Sequence, residues 1–219
     1  MNGVVVHEQH HALLLRIAHW TQALAIVIML GSGWRIYNQV PILPFRFPVM
    51  FTLGGGIKQT LTHNNDPGVA NAIAWHLAGM WLLAFGFFLF ALYGILTGHF
   101  RRHYWPVGPK SFFRDFMAAA TFKLPHTLGV NNAVQKAFYW GVMFAIVMML
   151  ISGLAIWKPV QLAWLTALLG GFQGARIVHF LFMAAIAGFF AIHLALVALV
   201  PRTLQSMVTG HAREVSHHA

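Results

Sequence analysis

Histidine is the residue type in this chain with the reach to do chemistry, and two of the fourteen histidines stand inside a single apolar run. His179 and His193 lie between Arg176 and Pro201, with no Asp, Glu, Lys or Arg separating those two ends. A spacing of fourteen residues is ~21 Å of helix rise, and fourteen steps of ~100° return the second imidazole to within ~40° of the first. Both rings therefore share one face at two depths. A neutral imidazole left in hydrocarbon without a partner costs on the order of a few kcal/mol, so two on one stripe require a common explanation. With no cysteine in the chain, disulfides, thiolate-held iron–sulfur clusters, Cys zinc sites and covalent haem attachment are excluded. The four acidic residues, Glu8, Asp66, Asp115 and Glu214, are too few for a carboxylate-driven hydrolase or a proton pump built on buried carboxylates.

The elements that must position these rings are long apolar helices. Hydrophobic residues make up 58% of the 219 and charged ones 8%, against ~25% charged in ordinary soluble domains. The sequence therefore predicts an all-α integral membrane protein: one domain over 1–219, a bundle of four membrane-spanning helices at about 15–35, 72–97, 137–157 and 177–200. The first is expected to be a retained span, because its n-region is poor in Lys and Arg and no Ala-X-Ala site follows. Ser111 to Phe122 mixes Phe112, Phe113, Phe116 and Met117 with Arg114 and Asp115, the pattern of a helix lying in the interface. Val160 to Phe172 is apolar but too short to span and stops at Gly170-Gly171, so it is expected to be a second interfacial helix. The net charge of +10 is spread singly beside apolar runs, which reads as topology signals and not as a nucleic-acid groove.

Six Lys or Arg lie between the second and third spans, against three and two in the other loops. The positive-inside rule then puts that middle loop, and both termini, in the cytoplasm. Depth follows from direction. His19 opens a span that starts inside and His76 one that starts outside, while the fourth span carries His179 near the outside and His193 toward the inside. The depths pair His76 with His179 and His19 with His193. Two nitrogens facing each other, with no carboxylate or thiolate at hand, suit haem iron, whose porphyrin supplies four ligands, whereas zinc and di-iron sites take three or four ligands from protein.

The residues around these histidines resemble a known family, the bacterial di-haem cytochrome b subunits of the cytochrome b561 and nickel–iron hydrogenase type, which also serve formate dehydrogenase and thiosulfate reductase. The resemblance covers nearly the whole chain. It rests on His19-Trp20, on Trp75-His76-Leu77-Ala78-Gly79, on Asn131 to Trp140 leading into Ser152-Gly153-Leu154, and on Gly174-Ala175-Arg176-Ile177-Val178-His179 followed by His193. It implies that His19, His76, His179 and His193 are the axial ligands of two b-type haems, and that quinone is the exchangeable substrate, bound near the cytoplasmic haem. It also implies a redox partner docked on the periplasmic side of the inner membrane, of the molybdenum-oxidoreductase kind judging by the stretch from Gly171 to His179.

Arg16 and Arg176 each precede a ligand by three residues, one helical turn nearer the surface, where a haem propionate would lie. Snorkelling to the interface is the plainer account of both. Gly79, Gly153 and Gly188 could admit a porphyrin to the backbone, although glycine is common at membrane helix contacts. His7, His10, His11, His217 and His218 read as solvated tails. His63, His99, His103 and His126 fall in loops or at a span's edge, where one could serve protons to a quinone. Two other functions stay open: a stand-alone quinone-linked oxidoreductase of the superoxide oxidase type, and a haem-free, His-lined metal transporter. No long internal repeat is evident, although Arg16-Ile17-Ala18-His19 and Arg176-Ile177-Val178-His179 share a local pattern.

Overall fold

The computed structural model describes residues 4–10, 12–54, 67–105, 108–121, 132–199 and 201–217. Its frame is four helices long and apolar enough to cross a bilayer: α1 (Leu13–Tyr37), α2 (Pro67–Leu96), α5 (Ala133–Trp157) and α7 (Gly171–Leu199). Shorter elements separate or follow them: β1 (Val4–His10), α3 (His99–His103), α4 (Pro109–Ala120), α6 (Ala163–Leu168), α8 (Pro201–Thr209) and β2 (His211–His217). Both stretches expected to form interfacial helices contain a helix, α4 and the shorter α6.

The spans are longer than hydropathy places them, because their ends are set by capping chemistry. Proline opens α2, α4 and α8, where its missing N–H costs nothing and its fixed φ suits the first turn. The third span begins at Ala133 and not near 137 because Asn132 and Gln135 form a capping box: Gln135 N–H donates to Asn132 Oδ1 at 2.9 Å and Asn132 N–H to Gln135 Oε1 at 3.1 Å. Asp115 Oδ2 takes the next orphan donor, Ala133 N–H, at 2.9 Å. That bond, ahead of the neighbouring Arg114, holds the Asp115 carboxyl below the usual carboxylate range. The fourth span begins at Gly171 and not 177, since the helix resumes directly after Gly170 and Gly171 reverse the chain at φ values of 83° and 80°. The second begins at 67 and not 72, carried outward by its N-terminal proline.

Each of the tails expected to be solvated carries a strand, while His11 and His218 lie outside the described residues. β1 and β2 pair antiparallel, with Val4 opposite His217 and His10 opposite His211. Strand pairing between the chain's two ends requires them to emerge on the same side, as an even number of spans demands.

The residues divide into two compact units, one of Met1–Arg16, Leu89–Val147 and Gly188–Ala219, the other of Ile17–Phe88 and Met148–Ala187. In the second unit, helix contacts are made by small side chains. A Cβ at Gly79 would sit 3.0 Å from Ile28, and one at Gly86 3.1 Å from Thr21 and Gln22, so α1 and α2 approach as closely as glycine permits. Ala155, Leu165 and Ala175 form a buried cluster from α5, α6 and α7, flanked by Ile151 and Leu169. Trp81, Phe85 and Phe88 of α2 are exposed at helical spacing, an arrangement that lipid and not water tolerates.

The loop after α1 is docked over that helix's end. Asn38, 2% exposed, grips Phe47 with both amide atoms, accepting its N–H at 2.8 Å and donating to its carbonyl at 2.9 Å. Leu53 N–H donates to the Gly31 carbonyl at 2.9 Å. In the first unit, Tyr104 is buried 4.7 Å from the Tyr139 ring, and the Trp140 indole donates to its carbonyl at 3.2 Å. Burial pushes the Tyr104 phenol up, and Tyr139 adds to the effect.

Candidate metal centre

Of the four span histidines, His76 on α2 and His179 on α7 come together, with ring centroids 6.2 Å apart. Each ring is held from behind by a serine on a different helix. His76 Nδ1 lies 3.0 Å from Ser32 Oγ of α1, and His179 Nδ1 lies 2.9 Å from Ser152 Oγ of α5. A hydroxyl has one proton to give. Ser32 donates its proton to the Ile28 carbonyl at 2.6 Å, and Ser152 donates to the Met148 carbonyl, also at 2.6 Å. Both oxygens therefore accept from the rings, so Nδ1 carries the hydrogen. With Nδ1 protonated in both rings, each Nε2 keeps its lone pair, which is the ligating form of neutral imidazole.

The glycine after each serine clears the ring. A Cβ at Gly33 would stand 3.2 Å from His76 Cε1, and one at Gly153 3.3 Å from His179 Cε1. The half-sites are thus built alike, from Ser32-Gly33 with His76 and from Ser152-Gly153 with His179. The family resemblance marks Ser152-Gly153 in the sequence, whereas nothing there singles out Ser32. The signal for it is the recurrence of residues 25–33, Ala-Ile-Val-Ile-Met-Leu-Gly-Ser-Gly, as residues 145–153, Ala-Ile-Val-Met-Met-Leu-Ile-Ser-Gly, identical at seven of nine positions.

The donor set fits a haem. Two imidazoles sharing one iron, with ~2 Å from metal to each nitrogen and ~1 Å from nitrogen to ring centre, place their centroids ~6 Å apart. Among the described residues no three His, Cys, Asp or Glu side chains converge as a metal site of protein ligands alone would need. An aromatic cluster adjoins the pair. Trp34, next to Gly33, stacks on Phe47 at 4.7 Å, and Tyr37 stacks at 5.3 Å on Phe180, the residue after His179.

His19, in the same unit, packs edge-on against Trp20 at 5.5 Å, and His193, in the other unit, stacks on Phe189 at 5.7 Å. The two flanking arginines bond the chain's own carbonyls. Arg16 Nε donates to Met207 O at 3.2 Å and its Nη2 to Val208 O, serving the C-terminal end of α8. Arg176 donates to Gln173 Oε1 at 2.8 Å and to Val40 O. Arg35, which the sequence offers only as a loop charge, ends α1 at 0% exposure. Of the glycines offered to a porphyrin, Gly79 serves the α1–α2 contact, Gly153 faces His179, and at Gly188 a Cβ would meet nothing within 4 Å. Among the loop histidines, His63 and His126 lie outside the described residues, as does the side chain of His103. His99 packs against Tyr104 at 5.5 Å and Tyr93 at 5.7 Å.

Comparison with known proteins agrees with this chemistry. Residues 10–210 match the family described as prokaryotic cytochrome b561. A protein of Azospira oryzae described as a putative protein-methionine-sulfoxide reductase subunit, YedZ1, is 39% identical over 202 residues, covering 92% of this chain and 96% of that protein.

Proposed function

The chain belongs to the prokaryotic cytochrome b561 family, and on that premise we propose that it carries electrons between membrane quinone and a reductase through two haems b. It is a multi-pass bacterial inner-membrane protein and a haem-binding electron-transfer subunit. In our reading His76 and His179 would hold one haem and His19 and His193 the other. The observation that carries the first pair is the two imidazoles 6.2 Å apart, each fixed by a serine in the tautomer that leaves Nε2 to ligate; the second pair rests on the matched depths of His19 and His193 in the sequence. Bound there, a haem supplies a one-electron couple that the chain's own side chains lack.

The chain's residues do the rest. The serines orient the rings, and Arg176 and the buried Arg35 offer cations to propionates near the His76 pair. Arg16 does the same for the second haem. His99, set among Tyr93 and Tyr104, is our candidate for taking up protons when a quinol is oxidised. We place the loop between α2 and α5, and both termini, in the cytoplasm, on the strength of the five basic residues between those helices, Arg101, Arg102, Lys110, Arg114 and Lys123, with Lys136 in the first turn of α5.

The relative's description supports a partner that reduces protein methionine sulfoxide. Such a partner needs two electrons and two protons per sulfoxide, releasing water and methionine, so electrons would run from quinol through the chain to the periplasmic side. A stand-alone oxidase would need no such partner, and a metal transporter would not need two histidines locked in matching tautomers.

The test is a dithionite-reduced minus oxidised spectrum of the purified protein with haem extraction. Two low-spin haems b per chain, reducible by a quinol, are expected. A colourless protein after expression with added haem precursor would overturn the reading.

A further inference from the structure

Ser32 and Ser152 are both fully buried, both donate to the carbonyl four residues back at 2.6 Å, and both accept from a histidine on the neighbouring span at about the same distance, 3.0 and 2.9 Å. Serine back-bonding to the i−4 carbonyl is ordinary in membrane helices and would by itself satisfy a buried hydroxyl. What ordinary back-bonding does not explain is its occurrence twice, each time with the spare lone pair on Nδ1 of a histidine and a glycine next in sequence that clears Cε1 of the same ring. We propose that Ser32 and Ser152 are a matched pair of positioning residues that set the reduction potential of the His76–His179 haem. The proposal rests on the axial assignment made above.

The physical argument concerns the ring proton. A histidine that ligates through Nε2 pushes charge toward the metal in proportion to how well its Nδ1–H is hydrogen-bonded, because an acceptor at Nδ1 makes the imidazole more anionic. The ferric state, with one more positive charge, gains more from this than the ferrous state. Each serine therefore favours the oxidised form and lowers the potential. Because the hydroxyl's own proton is committed to the helix, the serine cannot reverse role and donate to the ring, so both states see the same acceptor. Full burial keeps water from substituting for it. The two serines bond different rings and share no protein partner, so their effects should add.

The test is a spectroscopic redox titration of the purified protein bearing Ser32→Ala, Ser152→Ala and both, with haem content and low-spin absorption measured on the same samples. Each single change is expected to raise the ferrous to ferric ratio at a fixed ambient potential by about tenfold, equivalent to ~59 mV for a one-electron couple. The double variant should move about twice as far, and the second haem should stay where it was. If alanine costs the haem itself, Ser152→Thr, which keeps the hydroxyl, and Ser152→Cys, which keeps the size but weakens the acceptor, carry the test. Threonine should restore the wild-type potential and cysteine should raise it. Intact low-spin spectra with unmoved potentials in the alanine or cysteine variants would overturn the proposal, as would equal loss of haem with threonine, cysteine and alanine. Failure of the axial assignment looks different: His76→Ala and His179→Ala would then leave both haems in place.

Discussion

Replacing Gly153 with alanine adds one methyl group directly against the His179 ring. The new Cβ would stand 3.3 Å from His179 Cε1 and 3.8 Å from Nδ1, where ordinary contact begins at 3.4 Å. A few tenths of an ångström matters little where a flexible side chain can move, but this ring is pinned, with Nδ1 on Ser152 and Nε2 assigned to the metal. The strain must then fall either on the serine hydrogen bond or on the ligand bond. Overpacking of this kind costs ~1–3 kcal/mol, which corresponds to roughly a 5- to 150-fold loss of haem affinity. Gly33→Ala, at 3.2 Å from His76 Cε1, should act alike. Gly141→Ala is the control, since nothing lies within 4 Å of its Cβ position, and it should be neutral or gain from helix propensity. The assay is the rate at which the purified protein loses haem to an excess of a haem-scavenging apoprotein, followed in the Soret band. Two-phase loss is expected, with only the phase of the His76–His179 haem accelerated in the Gly33 and Gly153 variants. Loss rates within about twofold of wild type, with an unchanged spectrum, would refute the argument that glycine is there to clear the rings.

Three other outcomes follow from the same geometry. Asn38→Ala leaves the Phe47 N–H and carbonyl without their partner, at a cost on the order of 1–3 kcal/mol for each group that stays buried, so trypsin should cut after the exposed Arg46 markedly faster than in wild type, as read by mass spectrometry. Asp115, whose carboxyl is held below its ordinary value of 3.8 by the Ala133 N–H, supports the start of α5 above about that pH and loses its hold as the pH falls through the lowered value. Thermal unfolding of the detergent-solubilised protein should therefore steepen its decline below pH ~4, and Asp115→Asn should flatten that part of the profile; an identical profile would count against the cap. Removing the Arg16 guanidinium with Arg16→Gln should free the last carbonyls of α8 and speed amide exchange around Met207 and Val208, with no change there if those bonds are incidental.

The spans and the meeting of His76 with His179 were legible because they rest on two simple periods, helix rise and helix turn, acting on a chain with almost no charge inside its apolar runs. His76 and His179 meet as their depths require. The span ends were less legible because hydropathy does not see caps. Asn132-Ala133-Val134-Gln135 is a capping box in plain sequence, and Pro67 opens α2 five residues before the apolar run suggests. The serines were harder still, since a serine in an apolar helix looks like any small residue until the ring it supports is known. The pairing of β1 with β2 could not be read locally, for it joins strands at opposite ends of the chain and neither carries an alternating apolar face. Arg35 shows the converse: its type and place mark a loop charge, yet it lies fully buried in the last turn of α1.

The measurement that bears most directly on the central claim is the low-temperature reduced spectrum and haem count of four single variants, His19→Ala, His76→Ala, His179→Ala and His193→Ala. The account predicts that His76→Ala and His179→Ala each lose the same haem and keep the other, and that His19→Ala and His193→Ala share the complementary defect. A shared defect between His76→Ala and His193→Ala, with His179→Ala distinct, would contradict it.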